Sequence, residues 1–130
     1  MNSSKVVLDA SSVLAAIHAE SGSEKLTPPF LAGACLSAVN VAEVLSKLVT
    51  RGWTTQQAWE DTTETVAQVL PFTAEQAKTA ASLISQTRSL GLSLGDRACL
   101  ALALELQAPV YTADRSWKNL KLGVHIHVIR

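Results

Sequence analysis

Short apolar runs alternate with segments of helical periodicity along nearly the whole chain, and this alternation constrains the fold most. Apolar runs typical of strands lie at 5–9, 34–39, 110–112 and 124–129. Apolar residues at helical spacing follow the first two runs and precede the third. Parallel neighbouring strands need long, usually helical connections, so the pattern predicts an α/β fold with a mainly parallel sheet.

The middle third of the chain carries helix signals only. Capping-box patterns begin at Thr54 and Thr73, each with a Gln three residues later. Pro71 separates the two helices that these patterns start. We therefore expect the middle third to be wholly helical. A further helix over 96–106 carries an apolar surface too broad for an exposed helix and should be largely buried.

Composition limits the classes of protein that fit. The 130 residues are 48% hydrophobic and 17% charged, which suits one globular domain over 1–130 and argues against disorder. No apolar run approaches the ~20 residues that cross a bilayer, and no signal-peptide core precedes the first strand, so we expect a cytoplasmic protein. Cys35 and Cys99 lie in apolar surroundings and are expected to be reduced core residues.

Four acidic residues occupy corresponding points of this pattern. Asp9 and Asp114 directly follow the first and third strands, and Glu43 lies one turn into the helix after the second. Asp96 opens the helix that precedes the third strand. Sites in α/β sheets form at the carboxyl ends of strands, so the four side chains could converge there if that helix runs antiparallel to the strands.

Grouped carboxylates repel one another unless protons or a cation neutralise them, and hard divalent cations prefer oxygen ligands. The acids therefore predict a pocket for Mg²⁺ or Mn²⁺, whose bound water suits phosphodiester hydrolysis. The formal net charge is zero, which gives no global sign of a polyanion partner. If metal neutralised the four acids, however, the remaining seven would face eleven bases, which leaves +4.

Four motifs carry a family resemblance, in the order Val-Leu-Asp9-Ala-Ser11-Ser12, Ser37-Ala-Val-Asn40-Val-Ala-Glu43-Val, Leu94-Gly-Asp96-Arg97-Ala-Cys-Leu-Ala and Val110-Tyr-Thr-Ala-Asp114. Together they resemble the PIN domain, specifically VapC-type toxins of type II toxin–antitoxin systems, across essentially the entire chain. The resemblance implies a three-layer α/β/α sandwich with a mainly parallel central sheet. It also implies an endoribonuclease that cuts RNA with water and a divalent metal.

The resemblance assigns roles to individual residues. The family's catalytic and metal-binding acids map onto Asp9, Glu43, Asp96 and Asp114. Supporting hydrogen-bonding positions map onto Ser11, Asn40 and Thr112. Cations near the cleft could grip RNA phosphates, namely Arg97, Arg115, Lys47, Arg51 and Lys118. The implied partners are RNA, a VapB-like antitoxin that offers an arginine to the acids, and a second copy in a homodimer.

Simpler structural roles remain open for the same acids. Asp9 and Asp96 could cap helices, and Glu43 could form a solvated pair with Lys47. Asp114 could belong to a turn before the next segment. Each candidate cation could be an ordinary solvated charge.

The aromatic residues and histidines are ambiguous as well. Trp53, Trp59, Trp117 and Tyr111 could stack bases, although core or interface positions are more typical. His125 and His127 alternate with apolar residues on the last strand, where a surface pair is expected rather than a metal chelate.

Other functions have their own signatures. A catalytically idle RNA-binding or interaction module would have lost an acid. A haloacid-dehalogenase-type phosphatase needs a second Asp where this chain has Ser11, and a response-regulator receiver needs an Asp and a Lys that are not placed as required. One departure from the family pattern is the pair Pro28-Pro29, which predicts a loop with at most a short helix over 20–33. This departure affects the cleft wall and antitoxin contacts.

Overall fold

The computed structural model describes residues 5–130. Within them the strands are β1 (Val6–Leu8), β2 (Ala34–Ser37), β3 (Gln68–Leu70), β4 (Val110–Thr112) and β5 (Ile126–Val128). The helices are α1 (Ala10–Ile17), α2 (Pro28–Leu31), α3 (Ala38–Thr50), α4 (Thr55–Thr65), α5 (Ala74–Ser82), α6 (Ile84–Thr87) and α7 (Leu94–Leu106). Single turns of 3₁₀ helix occur at Ser23–Lys25, Arg88–Leu90 and Arg115–Trp117.

The five strands form one sheet in the order β3-β2-β1-β4-β5, and every pairing is parallel. One face packs against α1, α3 and α4, and the other against α7 and the end of α5. Both faces of β1 and β2 are therefore covered, which explains why every residue of these strands is buried. The predicted α/β/α sandwich is confirmed.

Strand β3 corrects the expectation of a wholly helical middle third. Gln68–Leu70 pairs in parallel with Cys35–Ser37 of β2 at the edge of the sheet. The strand has three residues, ends directly before Pro71, and is exposed or half-buried, so no apolar alternation marks it. The two capped helices were placed correctly. Thr54 forms a full capping box with Gln57, and the Thr73 hydroxyl accepts a bond from the Gln76 amide.

The segment 20–33 matches its prediction, since it holds one 3₁₀ turn and the four-residue helix α2. Thr27 caps α2, and proline at its start is favourable because the first N–H groups of a helix lack partners. Residues 5–130 contain no helix that is long and apolar enough to cross a membrane.

This topology creates one functional edge. The parallel strands end together, α1 and α3 start there, and α7 runs back from it before β4 begins. Helix N-termini carry unpaired N–H groups and a partial positive charge, so the edge favours acidic side chains.

Candidate active site

Asp9 lies at the end of β1 and caps α1. Its carboxylate accepts bonds from the Ser12 amide at 2.9 Å, the Ser11 hydroxyl at 2.8 Å and the Thr112 hydroxyl at 2.6 Å. The side chain is 3% exposed. Burial raises the pKa of Asp9 above its usual value, whereas the bonds from Thr112, Ser12 and Ser11 oppose that rise. Asp9 is therefore a rigidly held carboxylate that a proton or a cation would stabilise.

Ser11 and Thr112 join the ends of β1 and β4. The Ser11 oxygen accepts the Ala113 amide at 3.0 Å while its hydroxyl points to Asp9. The Thr112 oxygen likewise accepts the Asp114 amide at 3.0 Å. Both hydroxyls thus make the contacts to an acid that the family resemblance implied.

Glu43 is oriented by Asn40 and by a glycine of α7. The Asn40 amide nitrogen donates to Glu43 Oε1 at 2.7 Å and to the Gly95 carbonyl at 3.0 Å. A Cβ atom at Gly95 would overlap the Glu43 carboxylate. The Glu43 carboxylate therefore occupies space that is free because Gly95 has no side chain. No ion pair between Glu43 and Lys47 occurs among the described residues.

Asp96 lies in the first turn of α7 and completes a capping box. Its carboxylate accepts the Ser93 amide at 3.0 Å, and the Ser93 oxygen accepts the Asp96 amide at 3.1 Å. The capping interpretation is thus confirmed for Asp9, whereas the cap of α7 is Ser93 and Asp96 is the third residue of its capping box. An ionised carboxylate has about four acceptor sites, so the three donors to Asp9 leave about one site free and the single donor to Asp96 leaves several.

The buried thiol of Cys99 lies within reach of the charges of three of the acids. Burial raises the pKa of Cys99 well above its usual value, and the negative charges of Asp9, Asp96 and Glu43 raise it further. The Cys99 Sγ atom lies 3.7 Å from the Leu8 carbonyl oxygen, directly under the end of β1. Asp9 at the end of β1, Glu43 of α3 and Asp96 of α7 therefore bring negative charge to the same part of the sheet.

Asp114 is placed differently. Its carboxylate accepts the Ser116 amide at 2.9 Å and the Ser116 hydroxyl at 2.7 Å, and the side chain is exposed. It is not among the acids that act on Cys99. Asp114 thus has the predicted turn role, and its backbone alone is tied to Asp9 through Thr112.

Within residues 5–130, no three acidic, histidine or cysteine side chains are arranged to enclose a metal ion. Mg²⁺ commonly binds through one or two carboxylates and keeps several waters, so a closed protein cage is not required. The donors fit such a cation, since they are oxygens and Asp9 is a buried acid. The buried Asn40 Oδ1 atom also has no hydrogen-bond partner. Hence Asp9, Glu43 and Asp96 could hold a hydrated divalent cation.

The two arginines differ in position. The Arg97 guanidinium donates to the Ala80 carbonyl of α5 at 2.9 Å, and its Nε is buried. This contact holds α5 against α7 and does not support the predicted phosphate contact. Arg115 is exposed beside Asp114 and donates through Nε to the Arg130 carbonyl at 2.9 Å, so its other nitrogens face solvent.

Aromatic side chains mostly pack inside the protein. Trp117 is fully buried, Trp53 is partly buried, and Trp59 on α4 is 43% exposed. Tyr111 stacks on His127 with ring centres 4.6 Å apart. His125 and His127 are both exposed, as expected of a surface pair.

The sequence matches the PIN domain family over residues 6–122. This chain belongs to the PIN domain family. A comparison with curated proteins found no match.

Solved structures share the fold of this PIN domain at low sequence identity. A chain of the DNA-bound VapBC complex from Salmonella typhimurium aligns with a TM-score of 0.75 and 14% identity, covering 97% of this chain and 98% of that chain. A VapBC complex from Rickettsia felis, bound to a promoter DNA fragment, gives 0.71 and 17%, covering 96% and 98%. The Mycobacterium tuberculosis toxin VapC20, described as cleaving the sarcin–ricin loop, gives 0.71 and 19%, covering 93% and 99%. The fold is thus that of VapC toxins.

Sequence reasoning missed three residues of this region. Gly95 and Cys99 carry no chemical motif, and their roles depend on the packing of α7 against β1 and α3. Ser93 could have been found, because Ser93-x-x-Asp96 fits a capping pattern with an acid at its fourth position.

Proposed function

We propose that this PIN domain is a divalent-metal-dependent endoribonuclease and the toxin of a toxin–antitoxin pair. The observation that carries the proposal is the packing of α7 at the carboxyl edge of the sheet. Gly95, next to Asp96, lies against the Glu43 carboxylate, and Cys99 contacts the carbonyl of Leu8, next to Asp9. The three carboxylates offer oxygen donors, which hard divalent cations prefer, and Asp9 is a buried acid that a cation would stabilise. RNA is the proposed substrate because the family resemblance implies it, and VapC20, which shares the fold, is described as a toxin that cleaves the sarcin–ricin loop.

Three carboxylates of the chain are proposed to hold the cation. Asp9 is the central ligand, fixed by Ser11, Ser12 and Thr112. Glu43 and Asp96 contribute carboxylates from α3 and α7. A bound Mg²⁺ or Mn²⁺ would lower the pKa of a bound water and offset negative charge that develops on the phosphate.

Two outer residues complete the proposed site. Asp114 is exposed at the rim, where it can accept a proton or position a water molecule. Arg115 beside it can contact a neighbouring phosphate of the RNA.

We also propose a VapB-like antitoxin as partner, because similar structures come from VapBC complexes. An arginine from that partner would pair with the acids and take the place of the cation. Leu94, which is 54% exposed next to the candidate ligands, offers an apolar contact for the same segment. A homodimer is proposed in addition, through the exposed Val49 and Trp59 of the packed helices α3 and α4.

The test compares the wild type with Asp9→Asn and with Asp61→Asn, a matched change on α4 away from the three acids. Each protein is incubated with total RNA and a panel of structured RNAs in Mg²⁺, in Mn²⁺ and in chelator. We expect metal-dependent cleavage by the wild type and Asp61→Asn, and a loss of about 100-fold or more in Asp9→Asn, since even supporting residues of metal sites cost 10- to 100-fold.

The alternative is a catalytically idle PIN-fold module that binds RNA or a protein. The observation in its favour is that no three candidate ligands among the described residues enclose a metal position. If the wild type and Asp9→Asn are equally inert on every RNA while binding it equally well, this alternative replaces the nuclease.

A further inference from the structure

Positive charge is concentrated in a part of the chain that the candidate active site does not use. Residues 115–130 hold four of the eleven Lys and Arg residues, two of the three His residues and none of the eleven acids. The preceding residues therefore contain seven bases and eleven acids, a formal charge of −4. A protein of zero net charge thus has one strongly basic segment.

Packing turns this segment's charges outward. Trp117 is fully buried, and Leu120, Leu122 and Val124 pack against the core on the α7 side of the sheet. The intervening Lys118 and Lys121 are exposed. The apolar anchors fix the path of the chain, so the lysines project from a defined surface and not from a loose loop.

Lys118 and Lys121 line a surface groove that has two adjoining parts. One part is lined by Ser116, Asn119 and Lys121 together with Gln86 and Ser89. The next part is lined by Lys118, Lys121 and His125. Both parts share Leu120, Lys121 and Leu122, and no acidic side chain of the described residues lines either part. We call this surface the basic groove.

One end of the basic groove lies beside Asp114, the outer residue of the proposed site. Ser116 lines its first part and donates two hydrogen bonds to Asp114. The ion pairs found in residues 5–130 join Lys78 to Glu75 and Arg130 to Glu20. Neither pair involves Lys118 or Lys121, so their charges are available to an external anion.

We propose that the basic groove binds the phosphate backbone of an RNA strand that continues from the candidate active site. The inference rests on the proposed nuclease function and adds where the substrate lies. Phosphate contacts position a nucleic acid without reading its sequence, and no Phe, Tyr or Trp lines the groove to stack bases or anchor a protein partner. The groove therefore supplies affinity, and sequence choice must arise elsewhere.

The test measures how salt weakens binding of a fluorescently labelled single-stranded RNA, by anisotropy in chelator. The double variant Lys118→Gln with Lys121→Gln should bind several-fold more weakly at low salt. Its plot of log affinity against log salt should be shallower by about 0.7 for each lysine removed. The double variant Lys118→Arg with Lys121→Arg keeps the charges and should keep the wild-type slope.

Lys78→Gln is the matched control, because Lys78 is an exposed lysine on α5 outside the groove. Its slope should equal that of the wild type. An unchanged slope in the glutamine double variant, or an equal change in Lys78→Gln, overturns the basic groove. The same variants are also tested for binding of a labelled acidic peptide. If the glutamine double variant binds that peptide more weakly but binds RNA as the wild type does, the RNA proposal is overturned, because the groove would then serve a protein partner.

The two proposals fail separately. Metal-dependent cleavage that Asp9→Asn abolishes, together with an unchanged slope, leaves the nuclease and removes the groove. A shallower slope in a protein that cuts no RNA removes the nuclease and leaves an RNA-binding groove.

Discussion

Each aspartate of the candidate site accepts a backbone N–H group at the start of a helix or 3₁₀ turn. Asp9 caps α1, Asp96 completes the box at the start of α7, and Asp114 caps the following 3₁₀ turn. The amides at a helix N-terminus favour a negative charge and fix its direction. Capping therefore prepares these side chains for a ligand role, and the structural and functional interpretations of Asp9 and Asp96 are compatible.

Gly95 gives a prediction about the placement of Glu43. Gly95→Ala should displace the Glu43 carboxylate and break its 2.7 Å bond from Asn40. We expect RNA cleavage to fall by about 10- to 100-fold, as for other residues that orient metal ligands. The melting temperature should hold or rise, because Ala is a better helix former than Gly by roughly 1 kcal/mol.

Glu43→Asp provides a control. Its shorter side chain should leave room for the methyl group that Gly95→Ala adds. Combined with Gly95→Ala, it should cost less activity than the product of the two single effects. Fully multiplicative losses would show that the two residues do not interact.

Without metal, the buried Asp9 carboxylate should lower the stability of the fold, although RNA cleavage requires it. Its pKa is raised by burial, so the folded state binds the proton more tightly than the unfolded state does. Stability from this group is present below the unfolded pKa and is lost as the pH rises through the folded pKa. In chelator at pH 7 we therefore expect Asp9→Asn to unfold at a higher temperature than the wild type.

Calorimetry from pH 4 to pH 8 checks this sign. The advantage of Asp9→Asn should grow with pH in chelator and shrink when Mg²⁺ is added, because the metal stabilises only the wild type. A variant that is less stable than the wild type at every pH would show that lost hydrogen bonds outweigh the buried charge.

At the scale of the elements, two capping boxes provide a matched pair of variants. Ser93→Ala and Thr54→Ala each remove a hydroxyl that accepts a backbone amide, and each should lower the free energy of unfolding by about 1 kcal/mol. Only Ser93→Ala should also lower cleavage, since its box holds Asp96. Denaturant unfolding and RNA cleavage measured on both proteins check this; equal activities would mean that the box does not orient Asp96.

The elements also show what sequence reasoning can reach. The capped helices α4 and α5 were predicted because their first turns carry local signals in Thr54 and Thr73. Strand β3 was missed because its hydrogen bonds come from β2, which lies about thirty residues away in sequence. Local signals therefore predict helix starts better than they predict a short edge strand.

At the scale of the whole molecule, the parallel topology followed from the alternation of strands and helices, and it placed the ends of β1 and β4 together. The position of Asp9 could be predicted from the sequence because a residue that directly follows a strand lies at the carboxyl edge of the sheet. The direction of the Asp114 side chain could not, because Ser116 decides it through two short bonds. The space that Gly95 leaves for the Glu43 carboxylate likewise depends on the packing of α7 against α3, which no local sequence pattern reveals.

We propose above all that Asp9, Glu43 and Asp96 bind one divalent cation at the carboxyl edge of the sheet. Paramagnetic Mn²⁺ titrated into ¹⁵N-labelled wild-type protein tests this directly, because it broadens the amide signals of nearby residues. We expect broadening to begin at Asp9, Glu43, Gly95, Asp96 and Cys99, to be reversed by excess Mg²⁺, and to be lost in Asp9→Asn. Broadening centred on His125 and His127, or unchanged in Asp9→Asn, would contradict this proposal.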